Sequence, residues 1–248
     1  NAVKETGKKI VVCLCTGSAV ELPFAKDTNA LVHYHLCGQA AVDALLNVLS
    51  GKVNPSGKLS ESYPIKYEDS ASSNYFHKKT NTAEYRDSIY VGYRYYDKVN
   101  MDVRYPFGYG RSYTTFEYSD LTVSEDGVKF NIKNIGSVEG KEIAEMYVSI
   151  PDSKVFRAVK ELKGFVKVDL KPREIKEVFI PFDEFTFRFF NIKSNRWEIE
   201  SGKYLIQVGA SSRDILLESA IDKVGNRTNL SGSAGSKKNI PSYKKPTE

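Results

Sequence analysis

Val128-Lys-Phe-Asn-Ile-Lys133 and Ala144-Glu-Met-Tyr-Val-Ser-Ile150 alternate apolar and polar side chains residue by residue. Successive side chains of a strand point to opposite faces, so each stretch has one apolar face: Val128, Phe130 and Ile132, then Ala144, Met146, Val148 and Ile150. Further strand candidates cover 164–170, 177–182, 196–200 and 204–210, with turn signals at Lys171-Pro172 and Ser201-Gly202. About seven short strands at this spacing predict a β-sandwich of about 100 residues.

The N-terminal part reads differently. Lys9-Ile-Val-Val-Cys-Leu-Cys15 is apolar without alternation, the pattern of a strand covered on both faces in a parallel sheet. Ala30-Leu-Val-His-Tyr-His-Leu36 is a second such strand. Val42, Leu45, Leu46 and Leu49 then fall at helical spacing within 38–50, and Gly51 stands where a left-handed cap ends a helix. In Val53-Asn-Pro-Ser-Gly-Lys-Leu59, Pro55 and Gly57 predict a reversal, with Gly57 at positive φ. Two strands and one helix cannot close a doubly covered sheet, so the α/β unit is expected to continue upstream of Asn1.

Residues 68–87 are polar and Ser/Asn/Lys-rich, a long surface loop of the kind that often carries function. Residues 90–118 hold ten aromatics threaded with Gly92, Gly108 and Gly110. Tyr has an apolar body and a polar tip, which suits it to gluing two folded units together as well as to stacking on sugar rings. The position of this belt between two predicted units favours glue.

The formal charge is +5, of which the Lys-rich stretch 232–248 supplies +3. The remainder interleaves acids and bases, so no nucleic-acid or polybasic membrane patch is visible. No apolar run reaches the ~18 residues of a spanning helix, and no signal peptide opens the chain. Cys13, Cys15 and Cys37 are odd in number and set among apolar residues, which predicts free, buried thiols and a compartment that is reducing, the cytoplasm slightly favoured, or indifferent to thiol redox state.

Six collinear motifs carry a resemblance. They are Gly17-Ser-Ala-Val-Glu-Leu-Pro23, Gly51-Lys-Val-Asn-Pro-Ser-Gly-Lys-Leu59, Tyr90-Val-Gly-Tyr-Arg-Tyr-Tyr-Asp97, Pro106-Phe-Gly-Tyr-Gly-Arg-Ser-Tyr-Thr-Thr-Phe116, Val159-Lys-Glu-Leu-Lys-Gly-Phe165 and Gly202-Lys-Tyr-Leu-Ile-Gln-Val-Gly209. Together they resemble the C-terminal portion of family 3 glycoside hydrolases, the β-glucosidase type. The fold implied is α/β plus all-β: the C-terminal part of an α/β sandwich domain over 1–70, a loop and aromatic connector over 71–115, a fibronectin-III/Ig-like β-sandwich over 116–222, and a linker or tail over 223–248.

Retaining hydrolysis by two carboxylates is the chemistry the resemblance implies. The family's nucleophilic Asp lies in a (β/α)8-type barrel and its acid/base Glu ahead of the strand equivalent to Lys9–Cys15. This chain is therefore expected to carry no catalytic residue and to be inactive alone. The expected partners are a companion chain or upstream segment that supplies both carboxylates, and a β-glucoside or oligosaccharide substrate, with no cofactor. Where relatives read Ala-Trp-Tyr-Pro-Gly this sequence has Tyr34-His35-Leu36-Cys37-Gly38, and where they read Pro-Gly it has Pro172-Arg173.

Tyr75, Phe76 and Arg86, on the long polar loop, are the candidate substrate-binding residues, placed to form an aglycone-side surface. His33, His35 and Cys37 share a strand face beside Cys13 and Cys15, but their spacing matches no zinc pattern, so they read as packed side chains rather than a metal site. Glu68-Asp69 and Asp183-Glu184 sit in turn-like settings unsuited to acid catalysis. Asn226-Arg-Thr228 and Asn229-Leu-Ser231 fit the glycosylation triplet. The alternative function is a non-catalytic carbohydrate-binding or assembly module. Against it, the sandwich shows no aromatic row, and the single Trp197 lies where a strand should bury it.

Overall fold

A computed structural model describes residues 2–76 and 81–225. His77, Lys78, both glycosylation triplets and the Lys-rich stretch lie outside the described residues.

The N-terminal unit is built on β1 (Val11–Leu14) and β2 (Ala30–His33), which pair in parallel from Val11↔Ala30 to Leu14↔His33. A 3-10 turn, Gly38–Ala40, leads into α1 (Ala41–Leu49). Gly51 ends the helix at φ +74°, where a side chain would strain the backbone. β3 (Tyr63–Pro64) pairs antiparallel with β4 (Val103–Tyr105), and α2 (Tyr93–Lys98) lies between them in sequence.

The sandwich follows. β5 (Phe116–Val123), β6 (Gly127–Asn134) and β9 (Ile175–Pro181) form a three-stranded sheet in the order β5-β6-β9. β7 (Gly140–Ser149), β8 (Glu161–Leu170), β12 (Gly202–Ser211) and β13 (Asp214–Lys223) form a four-stranded sheet in the order β13-β12-β7-β8. The alternation dictates the core: Val128, Phe130 and Ile132 meet Ala144, Met146, Val148, Tyr204, Ile206 and Val208, all buried. β10 (Arg188–Asn191) and β11 (Arg196–Ile199) form a separate hairpin.

Three expectations fail here for identifiable reasons. Trp197 is 49% exposed, because β10–β11 belongs to neither sheet and only Ile199 of β11 packs on the core. The three thiols are free but exposed, because Val11, Cys13 and Cys15 alternate on a strand face that nothing described covers. Gly57 is not in the left-handed region. Its carbonyl instead lies so close to Gly110 that a Cβ there would sit 2.3 Å from it.

That contact belongs to a tight junction between the two units. Leu59 N–H donates to the Tyr109 carbonyl at 2.9 Å and Gly108 N–H to the Leu59 carbonyl at 2.8 Å. Asn54 Oδ1 accepts from Tyr113 N–H and the Ser112 hydroxyl, while its Nδ2 donates to the Glu139 carbonyl. The Tyr93 hydroxyl accepts from Leu162 N–H at 2.8 Å, and its ring meets Tyr147 and Phe107. Asp97 pairs with Lys160 and Arg213. The aromatic segment lies between the units and hydrogen-bonds to the sandwich.

Gly108 sits at φ +81°, and a Cβ there would lie 2.3 Å from Glu145 Oε2. Gly51 shares the left-handed backbone but has open space around it. Gly51→Ala should therefore cost only the backbone strain, about 1–2 kcal/mol. Gly108→Ala should add an overpacking cost of about 1–3 kcal/mol. Equilibrium urea unfolding of the two variants measures the difference; equal costs would remove the steric role assigned to Gly108.

Candidate functional site at the carboxyl ends of the parallel strands

In open α/β sheets ligands bind beyond the carboxyl ends of the strands. Here β1 runs out into Thr16-Gly17-Ser18 and β2 ends on His33, side by side in register. The Thr16 hydroxyl donates to the Ser18 carbonyl at 2.9 Å. His33 Nε2 lies 3.2 Å from the Thr16 carbonyl and Nδ1 lies 2.7 Å from the Tyr63 hydroxyl. A carbonyl only accepts, so Nε2 carries the proton and Nδ1 accepts from Tyr63. Burial, aided by His35, lowers the His33 pKa against the Thr16 carbonyl and Glu61, and the imidazole is held neutral. Tyr63 is buried, and burial pushes its hydroxyl pKa up, so it stays a donor.

The His35 ring lies 3.8 Å from that of His33, centroid to centroid, and its backbone is at φ +50°. Left-handed backbone at a non-Gly residue is uncommon and concentrates at turns and functional sites. Both ring nitrogens of His33 are engaged, and among the described residues no group of His, Cys, Asp or Glu is arranged to hold a metal ion.

The turn after β1 is anchored by buried Leu22, and Glu21 Oε1 accepts from Tyr67 N–H at 2.6 Å. This bond fixes the start of the polar loop beside the strand ends. Of the three candidate residues on that loop, the structure brings two together. The Tyr75 hydroxyl donates to Asp87 Oδ1 at 2.6 Å, and the Arg86 guanidinium carbon lies 5.5 Å from the Tyr75 ring centroid. Loss of solvation, then Asp87, pushes the Tyr75 pKa up to about 12. Arg86 also pairs with Glu84. Phe76 is exposed, and Tyr85 between the two arms of the loop is more so.

The acidic pairs serve turns. Asp69 accepts from Lys66 N–H, and Asp183 from Phe185 N–H and the Thr186 hydroxyl. Two carboxyls that sequence reasoning passed over, Glu142 and Glu145, are buried at the junction between the units. Shut away from solvent, they have no access to a substrate. The strand pattern puts Glu142 on the inward face with Ala144 and Met146, whereas Glu145, three residues on, should face outward and is buried by the junction instead.

Comparison with known proteins decides the assignment. Residues 1–113 match the model of the glycosyl hydrolase family 3 C-terminal domain, and residues 142–212 match that of the fibronectin type III-like domain. The chain belongs to glycosyl hydrolase family 3. It is 43% identical over 228 residues to thermostable beta-glucosidase B of Acetivibrio thermocellus, covering 89% of this chain and 30% of that protein. It is 39% identical over 219 residues to an exo-alpha-(1->6)-L-arabinopyranosidase of Bifidobacterium breve, covering 86% of this chain and 29% of that protein. The crystal structure of a family 3 beta-glucosidase from Bifidobacterium adolescentis superimposes with a TM-score of 0.87 at 36% identity, covering 95% of this chain and 36% of that one. The family 3 chain thus spans about a third of the length of such relatives, their C-terminal part, and its fold contains no barrel among the described residues.

Tyr63→Phe removes the donor that holds His33 Nδ1 as an acceptor, which frees that nitrogen for a proton. The His33 titration followed by imidazole NMR should move up in the variant. An unchanged midpoint would mean that the Tyr63 hydrogen bond does not set the tautomer.

Proposed function

We propose that this chain is the cleft-completing, non-catalytic part of a retaining β-glucosidase-type hydrolase acting on terminal β-D-glucosyl residues. One observation carries the reading. The apolar stripe of α1 faces solvent, with Val42 67% and Leu46 56% exposed, and the open face of β1 carries exposed Val11. An apolar face of this kind marks an interaction surface, and a parallel sheet is normally covered on both faces. A companion chain or upstream segment bearing a (β/α)8-type barrel, the nucleophilic Asp and the acid/base Glu is the proposed cover. The strand ends around Thr16, His33 and Tyr63 would then form one wall of the cleft. Tyr75, Phe76 and Arg86 would form its aglycone side, where aromatic faces suit the C–H surfaces of sugars. Family 3 relatives include an exo-alpha-(1->6)-L-arabinopyranosidase, so family membership alone does not fix the glycone.

Intact-mass analysis under denaturing conditions, with an aryl β-glucoside assay on the same sample, tests the proposal. Activity is expected only where a barrel-bearing polypeptide accompanies the 27.9 kDa chain. A folded 27.9 kDa species that hydrolyses the substrate alone would overturn it, and one that is folded, stable and inactive would remove the need for a cover.

One observation favours a second reading, a carbohydrate-binding module. Trp197 packs edge-to-face with Phe185 and Phe190, and all three rings are over two-fifths exposed. As the single Trp of the chain, Trp197 reports on its own surface. A soluble β-glucan should quench or blue-shift its fluorescence if the hairpin binds sugar, and an unchanged spectrum at saturating glucan would dismiss this reading.

A further inference from the structure

At the junction between the two units, two buried carboxyls gather around one lysine. Lys58, from the N-terminal unit, lies 3.2 Å from Glu142 Oε1 of β7, with side chains only 10% and 7% exposed. The Tyr118 hydroxyl of β5 donates to the same oxygen at 3.0 Å, and the backbone N–H of Ile143 also serves Glu142. Glu145, on the same strand, accepts from the Tyr147 hydroxyl at 2.5 Å, and its carboxylate is pressed against Gly108. The charged groups around this cluster are few. Asp214 faces Tyr118; Asp97 and Tyr93 face Tyr147, whose ring centroid lies 5.8 Å from Lys160 Nζ. Asp97 is matched by Lys160 and Arg213. Those two cations face Asp97 rather than the glutamates, and among the described residues Lys58 is the cation paired with this carboxyl cluster.

We propose that Lys58, Glu142 and Glu145 form a proton-set clasp between the N-terminal unit and the sandwich, closed when one carboxyl keeps its proton and loosened when both are ionised. With one proton the cluster is neutral: Lys58 offsets one carboxylate, and the other carboxyl stays uncharged. Without it, a negative charge is buried with no counter-ion, and removal from water penalises the charged form strongly. Burial raises both carboxyls above their ordinary value, in Glu142 against the opposing pull of Lys58, in Glu145 against the Tyr147 hydroxyl and Lys58. The two titrate as a coupled pair. The native state holds the proton more tightly than the unfolded chain, so this contribution to stability is fully present at acid pH. It declines as pH rises above the ordinary carboxylate range. Gly108, against Glu145, and Leu59, next to Lys58, bond to each other on the N-terminal side of the clasp, while Ser212 N–H donates to the Phe107 carbonyl at 2.9 Å across the junction, so the clasp lies on the line along which the units meet. The clasp does not rest on the hydrolase reading, and neither failure entails the other.

Thermal unfolding of the full chain between pH 5 and 8, wild type against Glu145→Gln, provides the test. The amide keeps the volume and an acceptor for Tyr147 but has no proton to lose. His33 contributes equally to both proteins and cancels. The wild-type Tm should fall relative to the variant by about 4 °C or more across that range. Parallel curves would overturn the proposal. A second measurement needs no variant: amide exchange at Leu162 and Ser212, whose N–H groups donate across the junction to the Tyr93 hydroxyl and the Phe107 carbonyl, should, corrected for its intrinsic pH dependence, show a more open junction at pH 8 than at pH 5. Equal protection at both would overturn the clasp.

Discussion

A parallel pair of strands has two faces and two edges to hide, and in this protein the β1–β2 pair hides only part of them. The contrast with the sandwich is internal to the chain. Phe130, Met146, Tyr204 and their neighbours have no water contact, whereas α1 has no buried residue. The N-terminal unit holds its shape through backbone pairing, the Thr16–His33–Tyr63 bonds and its seat on the sandwich, and it turns an apolar stripe outward. That imbalance is the physical basis for reading the chain as one wall of a larger cleft.

The seat itself is made of backbone. Gly110 lets the Gly57 carbonyl approach more closely than any side chain would permit, Gly108 leaves room for the Glu145 carboxyl, and Asn54 ties two further segments, 112–113 and Glu139, around them. The aromatic side chains of 90–118 fill the space around that contact, with hydroxyls of Tyr90, Tyr93 and Tyr113 bonded to backbone across it.

Much of this was legible from residue order. The period of two in β6 and β7 located the core, and the unbroken apolar run in β1 announced a parallel strand. What escaped has a common cause. Trp197 has the period of a core strand, but its hairpin lies outside both sheets, a fact of tertiary placement that no local pattern encodes. Cys13 and Cys15 read as part of a buried strand, but no described residue covers the face they stand on. The Thr16–His33–Tyr63 set joins three separate segments, and Glu142 and Glu145 are buried by a junction that forms only when both units are folded. Tyr75 and Arg86 stand at two ends of one polar loop, and their proximity in the structure follows from that shared loop.

The most direct measurement of the central claim is amide exchange of the chain alone and of the same chain beside a barrel-bearing polypeptide. The account predicts that β6, β7 and β12 are equally protected in both. It predicts that α1 and β1 gain protection by an order of magnitude or more, about 1.4 kcal/mol per tenfold, only when covered. Equal protection of α1 and β1 in the two samples would show that this surface needs no cover, and the reading of the chain as half of a cleft would fail.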